Sequence, residues 1–207
     1  MAKGKVITIA QQKGGSGKTT LAAQLAAAWR AQGRAVALVD LDPQRSLSRW
    51  ARLRADAGIT LVESKDWRAG GDIRAAAKIA ERVLVDCPGN AESLLRTALR
   101  EAALVLLPCQ PTPLDAWAAE AMLDLCRKEK ARARVVLNRV PPRGGAVEEA
   151  LALLAAARAD LLETRLGARV AFSTAFLTGH AAAELQPRSR AAAEVKALTA
   201  EVEALLI

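Results

Sequence analysis

Lys13 and Lys18 flank Gly14, Gly15 and Gly17 in the run QQKGGSGKTT at 11–20. Glycines at such spacing let backbone N–H groups approach phosphate oxygens with no Cβ in the way. A helix opening near Lys18 adds the positive end of its dipole. Lys18 would reach the β- and γ-phosphates of a nucleotide, and the Thr19 hydroxyl would bind Mg²⁺. Ser16 and Thr20 complete the loop. The usual spacing, G-x-x-x-x-G-K-[ST], calls for glycine at position 12. This chain has Gln12 there, followed by the extra cation Lys13.

Three acids complement the loop. Asp40 and Asp42 lie two apart in DLDPQ, after an apolar run. Strand alternation is expected to put both carboxylates on one side. Asp86 follows four residues of RVLV and precedes CPG. An acid at the end of such a strand is the usual outer partner of a nucleotide-bound Mg²⁺.

The elements that must hold these residues alternate. Apolar runs at 5–10, 35–42, 59–64, 82–89, 103–111 and 133–142 read as strands. Helical patterns cover 19–33, 45–58, 72–81, 91–102, 113–130, 146–164 and the C-terminal stretch AAAEVKALTAEVEALLI. ARVAFS, between the last two helices, reads as a further strand. Near-continuous apolar strands separated by helices predict an α/β fold of the P-loop NTPase kind, a mostly parallel twisted sheet with helices on both faces. Its ligands belong at the carboxyl ends of the strands. With no repeat and no linker, residues 1–207 read as a single domain.

Composition narrows the class. The chain is 52% hydrophobic and 25% charged, which is globular and not disordered. No stretch of 18 apolar residues suggests a membrane helix, and the first apolar run is too short for a signal peptide. Cys87, Cys109 and Cys126 are widely spaced, so no disulfide framework is expected and a reducing cytoplasm fits. The single histidine, His180, excludes a multi-histidine metal site. A net charge of +8 favours polyanions, either nucleic acid or an anionic membrane face. Many of the basic residues are arginines in an alanine-rich chain, a bias that genome composition alone can produce.

Taken together and in order, KGGSGKTT, DLDPQ, VDCPG, LPCQPTPLDAWAAEAM and VVLNRV resemble the ParA/MinD family of deviant Walker ATPases. The likeness is greatest to short ParA-type proteins, because the phosphate loop begins almost at residue 10. The resemblance implies ATP and Mg²⁺ as cofactors and a homodimer closed over two nucleotides. Lys13 would reach across that dimer to the partner's phosphates, offsetting charge on the transferred group as an arginine finger does. Lys18 would serve the chain's own nucleotide. Asp42 would orient the attacking water, Asp40 would support the magnesium side, and Asp86 would hold Mg²⁺ through water. Asn138 would hydrogen-bond adenine. Cys87 stands where the family commonly has threonine or serine, and Gln11 replaces a frequent asparagine.

The implied function is slow, partner-stimulated ATP hydrolysis that segregates or positions a cargo, DNA or a protein complex, along nonspecific nucleoid DNA. The partner would be a ParB-like or cargo-adaptor protein with a basic N-terminal segment. Two alternatives share the superfamily: a MinD-like membrane-associated ATPase and a small-molecule ATP-dependent enzyme. The tail carries three glutamates and one lysine, unlike a basic membrane-binding helix, so no membrane partner is expected. Paired cysteines for an iron–sulfur carrier and tyrosines for a tyrosine kinase are lacking. DNA contacts are expected in the C-terminal part, from Arg158, Arg165 and Arg169 and from Arg188 and Arg190, with Ser189 beside them.

Overall fold

A computed structural model describes residues 3–54, 58–64, 66–142 and 146–207. Six strands form one sheet: β1 (Lys5–Ile9), β2 (Val36–Asp40), β3 (Ile59–Glu63), β4 (Arg82–Asp86), β5 (Leu104–Cys109) and β6 (Ala133–Leu137). Their order is β3-β2-β4-β1-β5-β6, and each neighbouring pair runs parallel. Every residue of β2 and β5 is buried, as expected of strands covered on both faces.

Two apolar layers sandwich the sheet. One packs α3 (Ala69–Ile79), α4 (Glu92–Glu101), α5 (Pro113–Lys128) and α6 (Ala146–Ala156) against alternate strand residues such as Val83, Val85, Val105 and Leu107. The other packs α1 (Lys18–Ala31), α2 (Ser46–Leu53), α7 (Val170–Leu177), α8 (Ala182–Leu185) and α9 (Arg190–Leu205) against Ile7, Ile9, Leu38 and Leu84. The period-2 alternation of strand side chains feeds both layers at once.

Strand register decides where the chemistry falls. Asp86 pairs with Ile9, the last residue of β1, and with Asp40, the last of β2. The phosphate loop, the acids after β2 and the acid ending β4 therefore meet at one edge of the sheet.

Several expected boundaries move. β2 stops at Asp40, so Asp42 lies in the following turn and strand alternation does not set the two carboxylates side by side. α6 ends at Ala156, short of the helix expected to 164. Arg158 there takes φ 52°, and Leu161 bridges to Val135 beside β6. That bridge satisfies backbone groups at an otherwise open sheet edge and overrides local helix propensity. ARVAFS is not a strand: Val170 opens α7. α2 ends at Leu53, and residues 55–57 of the helical stretch expected at 45–58 lie outside the described residues.

Candidate nucleotide site

β1 delivers the chain into the loop, and Gly17 turns it into α1. Gly17 caps that helix in the left-handed region at φ 95°. A Cβ on Gly17 would lie 2.3 Å from Asn138 Nδ2, so only glycine fits. Asn138 follows β6 and is nearly buried, and its Nδ2 donates to Ser16 O at 2.7 Å. Its Oδ1 accepts from Arg139 N at 2.9 Å. One amide N–H remains for a base acceptor. Asn138 thus buttresses the loop from behind while keeping one donor for a ligand.

A cavity of about 690 Å³ opens over the loop. It is lined by Gly14, Gly15, Gly17, Lys18, Thr19 and Thr20 on one side and by Asp42 and Gly89 on the other. Lys18 is buried in its wall. Lys13 is not among the lining residues. Its ammonium is instead paired with the carboxylate of Asp115, in the first turn of α5. The two lysines of the motif therefore do different things in the single chain.

The acids also divide. Asp86 is fully buried, and neither carboxylate oxygen has a hydrogen-bond partner among the described residues. Burial raises its pKa to about 7; the Thr19 hydroxyl and Lys18 pull it down, while Asp40 and Asp42 push it up. Asp40 is buried too, but both its oxygens are occupied. Oδ1 accepts from Asp42 N at 3.1 Å, and Oδ2 accepts from Ser48 N at 2.8 Å and Ser48 Oγ at 2.7 Å. Asp40 thereby fixes the turn that carries Asp42 and the first turn of α2. Asp42 lines the cavity, and its Oδ1 accepts from Gln44 N at 2.9 Å.

A Mg²⁺–nucleotide fits these residues. Among the described residues no group of three or more histidine, cysteine or acidic side chains could hold a metal alone. Mg²⁺ keeps waters and phosphate oxygens and needs only one or two protein groups. The Thr19 hydroxyl and the buried Asp86 carboxylate are of the type that could supply those, and the buried Ser16 hydroxyl has no hydrogen-bond partner. A nucleotide's phosphates would satisfy these groups.

Residues 7–182 match the family described as the CobQ/CobB/MinD/ParA nucleotide binding domain. The chain belongs to this family. Among its relatives is a maintenance of carboxysome distribution protein A from Halothiobacillus neapolitanus, 31% identical over 94% of each chain. A protein ParA from Rhizobium radiobacter is 30% identical over 84% of this chain and 83% of its own. In fold, the chain superposes on an ATP complex of a Cyanothece McdA variant with TM-score 0.83, at 16% identity, over 100% of this chain and 98% of the other. Pyrococcus furiosus cell division ATPase MinD gives TM-score 0.81 at 22% identity, over 98% and 99%. These findings make the chain a P-loop ATPase of ParA/MinD type.

Other expected positions of this family member resolve as follows. Cys87 lies in the apolar layer, fully buried, where burial pushes its thiol well up. Arg158, Arg165, Arg188 and Arg190 are exposed. Arg169 has a different setting from the other four. Its guanidinium binds Glu194, with Nη2 at 2.5 Å, and it lines a second cavity of about 330 Å³ with Gly17, Asn138 and Arg139. Arg169 therefore sits beside the loop, next to Asn138, and not on a surface remote from it. Ser189 caps α9, its hydroxyl accepting from Ala192 N at 3.2 Å.

Two contributors escaped the sequence reading. Gln110 Nε2 donates to Gly15 O at 3.0 Å, and Asp115 holds Lys13. The second had a local signal in Thr112-Pro-Leu-Asp115, a helix-start pattern. No helix among the described residues is long and apolar enough to cross a membrane.

Proposed function

We propose that this protein is a ParA-type positioning ATPase. Two copies close face to face over two ATP–Mg²⁺, each giving Lys13 to the other's phosphates. The dimer binds DNA without reading sequence, and a partner with a basic N-terminal segment accelerates hydrolysis and so releases it. The cargo is a large body to be distributed in the cell; the relatives named for carboxysome distribution and for ParA span both a protein compartment and DNA.

The observation that carries this reading is the division between the lysines. Lys18 lines the cavity, and Lys13, at its mouth, is turned away from the chain's own phosphate cradle. A second cation that does not serve the local nucleotide is placed to serve another. In this cycle Lys18 and the loop N–H groups bind the phosphates. Asp42, held by the Asp40 carboxylate through its backbone N–H, orients the attacking water. Asp86 and Thr19 hold Mg²⁺, which neutralises charge on the phosphates when bound. Lys13 stabilises charge on the transferred phosphoryl group from across the interface. The partner's segment would order the turns after β2 and β4.

Light scattering with ATP, paired with phosphate release, tests the reading. Asp42→Ala should bind ATP, accumulate as dimer and hydrolyse poorly. Lys13→Ala should bind ATP but form no productive dimer. Normal dimerisation and turnover in the Lys13 variant would remove the cross-subunit role.

A further inference from the structure

We infer that Arg45 is a positioning residue for hydrolysis: its guanidinium clamps the turn that carries Asp42 to the carboxyl ends of β2 and β3. This inference rests on the role given to Asp42 in the proposed function.

Arg45 takes φ 54° at the start of α2. That left-handed region suits glycine, and an L side chain is disfavoured there. An arginine that occupies it needs a compensating contact, and its side chain makes two. Nη1 donates to Asp40 O, and Nη2 donates to Ser64 O at 2.7 Å. Asp40 and Glu63 are register partners that end β2 and β3, so the two acceptors belong to neighbouring strands. A planar guanidinium can fork across both carbonyls, whereas a lysine offers one point charge. Both bonds are charge-assisted, which makes them stronger than bonds between neutral groups.

The turn so held is a wall of the nucleotide cavity. Asp42, Pro43 and Gln44 line that cavity, and Arg45 does not. Three bonds shape the turn from within: Asp42 N to Asp40 Oδ1, Gln44 N to Asp42 Oδ1, and Arg45 N to Asp42 O at 2.9 Å. None of these three reaches beyond residues 40–45. The near end of the turn is tied to the sheet by Leu41 N, which donates to Asp86 O at 3.0 Å. The far end is tied to β3 by the guanidinium. Its anchor is firm, because Ser64 is buried and its hydroxyl donates to Asp72 Oδ2 at 2.7 Å, in the first turn of α3. With the far end released, Asp42 can swing about the near end. A water oriented by Asp42 must attack in line with the bond that breaks. Misplacement by about 1 Å can cost roughly a hundredfold in rate.

Arg45→Gly leaves the left-handed turn accessible and removes the fork. Arg45→Lys keeps the charge and one point of contact. With saturating ATP and Mg²⁺, single-turnover hydrolysis should fall roughly tenfold to a hundredfold in Arg45→Gly and by less in Arg45→Lys. Affinity for a fluorescent ATP analogue should stay within about twofold of wild type in both, since the lost interaction acts on the transition state and not on binding. In an Asp42→Ala background Arg45→Gly should cost nothing further, because Arg45 acts through Asp42; a general loosening of the fold would cost in both backgrounds. Should the melting temperature of Arg45→Gly collapse, Arg45→Lys decides by the same split between rate and affinity. Wild-type hydrolysis in Arg45→Gly, an equal loss of ATP affinity, or a further loss without Asp42 would overturn the inference. Wild-type hydrolysis in Asp42→Ala would overturn the role of Asp42 itself. In that case backbone hydrogen exchange of the nucleotide-free chain decides whether the clamp exists: the Asp42 and Gln44 amides should exchange several-fold faster in Arg45→Gly, and equal rates refute it.

Discussion

Asp86 shows how a single buried carboxyl ties stability to pH. Its carboxyl is fully buried, and burial raises its pKa from 3.8 to about 7. A raised pKa means the folded state holds the proton more tightly than the unfolded state does. The stability linked to it is fully present below about pH 4 and is lost as pH rises through about 7. A rise of that size is linked to about 4 kcal/mol over that window. Melting curves without nucleotide or Mg²⁺ should therefore fall between pH 5 and pH 8 more steeply for wild type than for Asp86→Asn, and the variant should be the more stable at pH 8. Parallel curves for the two proteins would mean that Asp86 is not buried as a charge. The sequence displayed Asp86 plainly, at the end of an apolar run before CPG. It could not show that Asp40, equally acidic and equally placed, would be satisfied by Ser48 while Asp86 is not. That difference depends on Ser48, eight residues on in the first turn of α2, and no local pattern encodes it.

Elements were legible where their periodicity was strong and their neighbours simple. The six strands and α1, α4, α5 and α9 lie within a few residues of their expected spans. The stretch 157–177 was misread because tertiary contacts decided it. ARADLLET is a good helix by composition, yet Leu161 bridges Val135, and the backbone N–H of Leu162 donates to Val135 O at 2.9 Å. ARVAFS carries strand-forming residues, yet α7 forms because Phe172 packs into this layer, Ala175 is buried, and the helix lies against α1. The same layer seats α2. Trp50 is fully buried, stacks on Phe176 with centroids 6.3 Å apart, and donates through Nε1 to His180 O at 3.1 Å. It joins the helix that follows Asp42 to α7 and the turn after it. Trp50→Ala should cost about 3–5 kcal/mol, read by urea unfolding, and should lower ATP turnover more than ATP affinity because it loosens the Asp42 turn. A loss under about 1 kcal/mol would show that α2 is not anchored through this ring.

The whole molecule carries +8 net charge, and much of its arginine is already spent on internal pairs. Arg82 grips Glu203, Arg96 and Arg100 share Glu129, Arg54 holds Glu184, and Arg169 holds Glu194. A basic pI alone therefore overstates what is offered to a polyanion. Arg158, Arg165, Arg188 and Arg190 are exposed, and the last two flank the start of α9, whose first turn has no acid and whose positive dipole end favours phosphate. Ser189, engaged as the cap, keeps only its hydroxyl proton to give. If each protomer makes two or three phosphate contacts, a dimer makes about five, and log K should fall against log salt with a slope of roughly −4 to −5. Arg188→Ala should reduce the slope by up to about two, one per protomer, and weaken unrelated duplexes alike while leaving ATP binding intact. Arg169→Ala should leave the slope unchanged, because that guanidinium is held by Glu194 beside the loop. The measurement is ATP-dependent binding to two unrelated duplexes at several salt concentrations. No binding at low salt would remove the DNA track from the proposed cycle. A slope lowered by Arg169→Ala and not by Arg188→Ala would move the DNA surface to the mouth of the second cavity.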